Sequence, residues 1–245
     1  MTNKKKWFES WFDTPYYHLL YQHRDDKEAH KFIKNLMQFL KIDKDQNILD
    51  LACGKGRHSI FLNKLGYRVT GVDLSSQNIL QAQKHSNPRL NFGIHDMRNP
   101  MDSKFDLILN MFTSFGYFDS DDDDKMVLSA VKNSLNKDGI AVIDFMNTPN
   151  IINALVPKNH MCIEGVDFQI ERFFDGSHIR KNIRVKDREG IFNYKEQVRA
   201  YSFNDFKKML QENGFKLLKA CGSYDLESFN EKTSERLILI FKIHP

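Results

Sequence analysis

The chain has 245 residues, above the ~100–150 of a typical single domain but within the range of one open α/β domain carrying an insertion. Hydrophobic residues make up 41% and charged ones 28%, which allows a sizeable core and excludes a disordered or fibrous chain. The net charge of +4 is mild. Its basic residues cluster at Lys4 to Lys6 and from Arg180 to Arg188 with no nucleic-acid-binding signature beside them, so they read as a solvated tail and the outer face of a hairpin.

No apolar stretch approaches the ~20 residues that cross a bilayer, and the polar start MTNKKKWFESWF lacks the apolar segment of a secretory signal, so a cytoplasmic location without a membrane partner is expected. Cys53, Cys162 and Cys221 are odd in number and show no CxxC spacing. That argues against a disulfide framework and a thiolate zinc site; each is expected to be a small buried residue, and no metal is expected.

From Asp25 to Leu40 apolar residues recur at helical spacing behind an acidic start, which predicts an amphipathic helix. From Asn47 the pattern changes to short apolar runs, NILDLAC, YRVTGVD, LNFGIHD, FDLILNMF and IAVIDFM, which read as strands buried on both faces. Between them lie RHSIFLNKLG, stopped by Gly66, then SSQNILQAQKH with Ser75 or Ser76 as its cap, then the segment DDDDKMVLSAVKNSLNKDG. Alternating strand and helix predicts a parallel sheet. Asp121 to Asp124 suit a helix N-terminus, where the dipole stabilises acidic residues, better than a cation site.

Between Met146 and Tyr201 the rhythm becomes antiparallel. VDFQIERFF, SHIRKNIRV and IFNYKEQVRAY each alternate apolar with polar, and Arg188-Glu189-Gly190 reads as a turn. Ser202 with Asp205 then opens a helix that stops at Gly214, and FKLLKACGSY and ERLILIFKI supply two final strands. The expected organisation is an N-terminal helical cap over 1–45, a core over 46–146 and 202–245, and an antiparallel β insertion over 147–201.

The most informative stretch is ILDLACGKGRHS followed by VTGVDLS. A strand delivers Asp50 into a turn with Gly54 and Gly56, a helix starts near Arg57, and the backbone can pass close to a ligand where a Cβ would collide. Asp73 ends the next strand near the ~20-residue offset at which an acidic residue meets a ribose diol. A pyrophosphate binder would show GxGxxG, whereas Ser59 stands in place of the third glycine, and that favours an adenosyl ligand over a dinucleotide.

This segment resembles the cofactor loop of class I S-adenosylmethionine-dependent methyltransferases, and the place of the insertion, after the fifth strand and before the Ser202 helix, resembles the small-molecule branch, including amino-sugar and glycine-type N-methyltransferases. The resemblance implies a doubly wound, mostly parallel seven-stranded α/β sheet of Rossmann-like type with the antiparallel insertion after strand five. It implies S-adenosyl-L-methionine as cofactor and S-adenosyl-L-homocysteine as product. Ala52 stands where the family commonly has its first glycine, a change that keeps the residue small but is expected to remove access to positive φ.

By the same resemblance Asp96 and Met97 meet the adenine, Leu74 adjoins the ribose acid, and Asn110, Met111, Phe112 and Ser114 lie under the methionine moiety. TPYYHLLYQHRDD is similar to the segment that covers the cofactor, which puts Tyr16, Tyr21 and Arg24 on it. A sulfonium is attracted to aromatic faces and a guanidinium grips a carboxylate; the competing role for these three is ordinary core and surface charge.

Methyl transfer needs an acceptor lone pair aimed at the methyl carbon within ~3–3.5 Å, and it needs a base only where the acceptor is protonated. His58, His95, His160 and Asp144 are weighed as bases, and Tyr117 in the SFGYF loop is preferred because that loop faces the acceptor in this family. Phe168, Phe173, Phe174, Phe192, Tyr194 and Tyr201 fit the insertion's own core, an acceptor pocket or an interface between two copies, with core favoured. The reading is therefore methyl transfer to N or O of a small-molecule acceptor. The alternatives are an RNA or protein methyltransferase, which the basic hairpin would serve, and a nicotinamide-dependent oxidoreductase, which the missing third glycine disfavours.

Overall fold

The computed structural model describes residues 7–22 and 26–244, so Arg24 and the cluster Lys4 to Lys6 lie outside the described residues. Two short helices come first, α1 (Trp7–Trp11) and α2 (Pro15–Leu20). The Thr14 hydroxyl accepts the Tyr17 N–H at 3.1 Å and Pro15 occupies the first turn of α2, where a missing N–H is harmless. Next comes α3 (Asp26–Leu40), whose apolar stripe of Ala29, Phe32, Ile33, Leu36 and Met37 is buried against the sheet.

The chain then alternates as its apolar rhythm predicts: β1 (Asn47–Leu51), α4 (Arg57–Lys64), β2 (Arg68–Asp73), α5 (Ser76–Ala82), β3 (Leu90–Ile94), β4 (Phe105–Asn110), α6 (Asp121–Ser134) and β5 (Leu135–Met146). After the short α7 (Thr148–Asn153) come four strands, β6 (Lys158–Ile163), β7 (Val166–Phe174), β8 (His178–Lys186) and β9 (Ile191–Arg199), then α8 (Phe203–Glu212), β10 (Phe215–Cys221) and β11 (Arg236–Ile243).

The main sheet has seven strands in the order β10-β11-β5-β4-β1-β2-β3. Pairings among the first five strands of the chain are parallel, and β11 is antiparallel to both of its neighbours. The chain fills the sheet outward from β1 to β3, then returns to place β4 on the other side of β1. The carboxyl ends of β1 and β4 therefore flank a switch point, where a crevice opens in sheets of this kind. One buried cluster on Leu49, Leu51 and Phe145 and another on Ile48, Leu107 and Ile238 fill the two faces.

One boundary and one strand differ from the sequence reading. Helix α6 stops at Ser134, whose hydroxyl donates to the Ala130 carbonyl and accepts the Met101 N–H, and β5 begins at Leu135 with an irregular pairing to β4 before the regular register resumes at Ile140. The insertion has a fourth strand, β6, that the sequence reading missed, and the second sheet runs β6-β7-β8-β9, antiparallel throughout.

The inner face of this second sheet buries Phe168, Ile170, Ile183 and Val185 against Trp11, Tyr16 and Leu20. Phe192 and Tyr194 pack on the same cluster, Tyr201 joins the main core, and Phe173 and Phe174 are exposed. Aromatic content in the insertion thus serves chiefly as core. The expected turn forms at Asp187 to Gly190, where the Asp187 carboxylate accepts the N–H groups of Glu189 and Gly190. Cys53 and Cys221 are buried as expected, but Cys162 is exposed on β6, because its strand alternates and turns it outward. No described helix is long and apolar enough to cross a membrane.

Asp144 near the end of β5 organises the neighbouring loop. Its fully buried carboxylate accepts the Phe112 N–H at 3.0 Å, the Tyr224 hydroxyl at 3.1 Å and Arg236 Nε at 2.8 Å, while its carbonyl accepts the Thr113 N–H at 2.8 Å. Removing one partner of a buried charge pair strands the other. Asp144→Ala is therefore expected to lower the unfolding free energy by about 3–5 kcal/mol in urea titration; a loss below about 1 kcal/mol would mean that Arg236 finds other compensation.

Candidate active site

The bend between β1 and α4 is a run of left-handed residues. Ala52, Gly54 and Gly56 have φ of 62°, 56° and 81°. Ala52 thus adopts the positive φ that its side chain was expected to forbid; such a conformation is uncommon for a residue with a Cβ. The surrounding ladder fixes the bend, since the Cys53 N–H donates to the Val72 carbonyl at 2.9 Å and the Gly56 N–H to the Cys53 carbonyl at 3.0 Å. Gly56 is required on a second ground: a Cβ there would lie 2.6 Å from the Phe92 ring.

Two carboxylates hold the bend from below and from the side. Asp50 is buried; it accepts the Ser59 hydroxyl at 2.5 Å, and burial pushes its carboxyl up to about 6. The residue in place of the third glycine is thus a hydrogen-bond donor to this acid. Asp73 accepts the Gly54 N–H and the Ser75 N–H, each at 2.8 Å, and burial also raises its carboxyl. These two donors fall on different Asp73 oxygens, and a carboxylate with about four acceptor sites keeps lone pairs for a diol.

Asp73 faces a cavity of about 600 Å³ together with Ala52, Gly54, Leu74, Asp96 and Met97. Although burial opposes it, hydrogen bonds from Arg98 hold the Asp96 carboxyl below its usual range. Arg98 also reaches Asp123 at 2.8 Å, Asp121 pairs with Arg199, and Asp124 accepts the Tyr201 hydroxyl at 2.8 Å. The acidic run therefore opens α6 and ties it to its neighbours. Among the described residues no cluster of His, Cys, Asp and Glu is arranged to hold a metal.

From the loop after β4, Met111, Phe112 and Ser114 line the same cavity. Asn110 does not; its amide donates to the Leu51 carbonyl at 3.0 Å and braces β4 against β1. Phe112 and Thr113 have φ of 58° and 61° and are held there by Asp144. A second cavity of about 820 Å³ lies between this loop, α7 and the inner face of the second sheet. Both cavities are lined by Phe12, Tyr17, Tyr21, Phe112 and Tyr117.

The N-terminal segment departs from expectation at one tyrosine. Tyr16 turns to the second sheet, where it packs on Phe192 and its hydroxyl donates to Asp187 at 2.5 Å. Tyr17 and His18, which the sequence reading passed over, line the first cavity instead. The signal was the turn of α2: residues one apart on a helix point about 100° apart, so only one of two adjacent tyrosines can face the bend. Tyr21 lines both cavities, with its hydroxyl donating to Glu196 at 2.8 Å.

Among the weighed bases, Asp144 is fully engaged as described, His95 Nε2 lies 2.9 Å from the Asn99 carbonyl, and His160 pairs with Asp167 on the exposed side of the second sheet. Tyr117 lines both cavities and packs edge-on against Trp7. His58 is buried against Phe112, and burial followed by the Arg57 charge lowers its imidazole to about 3.

The lowered His58 imidazole makes stability depend on pH. The unfolded chain takes up a proton near pH 6.5 that the folded chain refuses until about pH 3, so this group weakens the fold as pH falls through that window, with a slope of about 1.4 kcal/mol per pH unit. Between pH ~7 and ~5 wild type is expected to lose about 2 kcal/mol more unfolding free energy in urea than His58→Leu. Equal losses would show that His58 is protonated in the fold.

Known proteins resemble this chain in sequence and in fold. Residues 48–139 match the methyltransferase domain family. The chain is 27% identical over 205 residues to YqeM of Bacillus subtilis (strain 168), provisionally named a methyltransferase, covering 78% of this chain and 81% of that one. It is 22% identical over 235 residues to the glycine/sarcosine N-methyltransferase of Aphanothece halophytica, covering 89% and 83% respectively. The crystal structure of an S-adenosylmethionine-dependent methyltransferase from Clostridium acetobutylicum ATCC 824 superposes with a TM-score of 0.79 at 25% identity over 94% of this chain and 96% of that one. With the bend after β1, the acid closing β2 and this sheet order in place, residues 48–139 form a methyltransferase domain, and the chain is similar to S-adenosylmethionine-dependent methyltransferases over most of its length.

Proposed function

We propose that this enzyme methylates a nitrogen or oxygen of a small molecule seated in the second cavity, with S-adenosylmethionine in the first. The observation that carries the reading is the shared wall: Phe12, Tyr17, Tyr21, Phe112 and Tyr117 border both spaces, so groups bound on either side meet among aromatic rings. Such faces attract a sulfonium.

In this reading the left-handed bend at Ala52 and Gly54 lets backbone approach the cofactor, and Asp73 accepts the ribose diol with the lone pairs its two N–H donors leave open. Asp96 and Met97 flank the adenine, with Leu74 beside the ribose, and Met111, Phe112 and Ser114 lie under the amino-acid end. Gly56, Asp50 and Asn110 act through the bend and the strand ends and not by contact. Bound there, S-adenosylmethionine supplies an electrophilic methyl on a neutral-leaving sulfur.

The protein's part is then to orient the acceptor lone pair along the sulfur–methyl axis and to exclude water, since alignment supplies most of the rate in an in-line displacement. Tyr117, which lines both cavities, is assigned as the base on the acceptor side: ionised to the phenolate it would take the proton that the acceptor releases, whereas Asp144 is fully engaged.

Two measurements test this. Asp73→Asn is expected to weaken S-adenosylhomocysteine binding by about tenfold to a hundredfold in calorimetric titration, the scale of a hydrogen bond to a charged group; unchanged affinity would remove the ribose contact. Once a screen with labelled cofactor over pooled metabolites has identified an acceptor, Tyr117→Phe is expected to lower kcat by about 10²-fold or more with S-adenosylhomocysteine affinity unchanged. An unaltered kcat would exclude Tyr117 as the base.

A further inference from the structure

The second sheet carries an irregularity that the fold does not require. Its inner face alternates as a half-buried sheet should, with Phe168 and Ile170 on β7 and Ile183 and Val185 on β8 all buried. One step along the same face the pattern breaks. Arg172 pairs across the ladder with Lys181, and Lys181 pairs with Glu196, so three charged residues stand in one row where apolar side chains would continue the core. All three line the second cavity.

The row is not electrically closed. Glu196 is taken up by Lys181 at 2.6 Å, by Trp11 Nε1 at 2.6 Å and by the Tyr21 hydroxyl. Arg236, on the opposite wall, is matched by Asp144. Arg172 donates to the side-chain carbonyl of Asn159 at 2.5 Å, and among the described residues no carboxylate pairs with it. Two cations directly opposite each other on a sheet destabilise it, and here they share a row with one acid already committed to Lys181. Glu28 and Glu235 also border the cavity, but both are exposed and neither pairs with Arg172. Beside Arg172 the wall is apolar, formed by Ile151, Leu155 and Val156.

From this geometry we infer that the acceptor carries an anionic group, a carboxylate or a phosphate ester, which Arg172 grips while an apolar body rests on α7. Resting on the assignment of the second cavity to the acceptor, the inference makes Arg172 a specificity residue for the reaction. A guanidinium offers its remaining N–H groups as a fork to two anionic oxygens, which an ammonium cannot reproduce. An anion there also screens the Arg172–Lys181 repulsion, so binding and sheet stability are coupled.

The test uses the full chain saturated with S-adenosylhomocysteine and three aromatic probes of similar size: phenylacetate, phenyl phosphate and the neutral benzyl alcohol. By calorimetry, at least one anion is expected to bind in the millimolar range about tenfold or more tighter than benzyl alcohol, and whichever anion does so distinguishes carboxylate from phosphate. Arg172→Gln is expected to abolish that preference and Arg172→Lys to restore part of it, with S-adenosylhomocysteine affinity unchanged in both. If neither anion outbinds benzyl alcohol on wild type, or Arg172→Gln keeps the preference, the inference fails. Absence of S-adenosylhomocysteine binding by wild type would instead overturn the reading of the first cavity.

Discussion

The structure depends most on the clamp that Asp73 places on two backbone segments. One carboxylate at the end of β2 receives an N–H from the bend after β1 and another from the start of α5. These donors lie on consecutive crossovers, so a single side chain fixes how two helices leave the sheet. Burial raises the carboxyl of this acid, as it does that of Asp50 beneath the bend. Two partly desolvated acids on adjacent strands oppose folding unless donors meet them, and the Gly54, Ser75 and Ser59 groups do so.

A second constraint acts from the other side of the crevice. Phe112 and Thr113 are consecutive residues with positive φ, and Thr113 is β-branched, the type for which that conformation is a genuine outlier. Strain of this kind amounts to about 1–3 kcal/mol per residue, and the network from Asp144 to Arg236 and Tyr224 offsets it. In return the Phe112 ring is held between the Arg57 guanidinium, 4.5 Å from its centroid, and the second cavity. The bend after β1 and the loop after β4 are thus rigid for independent reasons, which suits an enzyme whose rate depends on alignment.

Much of this was legible because burial on both faces writes itself as short apolar runs. The five strands from β1 to β5 and the glycine stops at Gly66 and Gly214 follow from local chemistry, as does the Ser202–Asp205 capping box. Ala52 was misjudged because its conformation is imposed by the ladder on either side, which outweighs the local preference of a residue with a Cβ. Strand β6, KNHMCI, was missed because its six residues alternate weakly and are exposed or half-exposed throughout. The choice between Tyr16 and Tyr17 turned on the rotation of α2, which depends on the second sheet far along the chain.

The same limit applies to the charges around the second cavity. Between Arg180 and Arg188 the basic residues look like one solvated stripe, and the alternation of β8 does send Arg184 to the outer face beside Gln169, while Arg180 is half-buried and meets Asp175 and the buried Gln197. Lys181 falls one position out of step with them and so points inward, opposite Arg172 and Glu196. A period of two makes neighbouring residues opposite in fate, and a count of charges along the segment averages that difference away. Only the cross-strand register distinguishes the solvated cations of the hairpin from those facing the second cavity, and register is fixed by the turn at Asp187 to Gly190 together with the apolar residues packed on Trp11. The charge facing the second cavity is therefore set by pairings between strands, while the bend after β1, being contiguous, is readable along one.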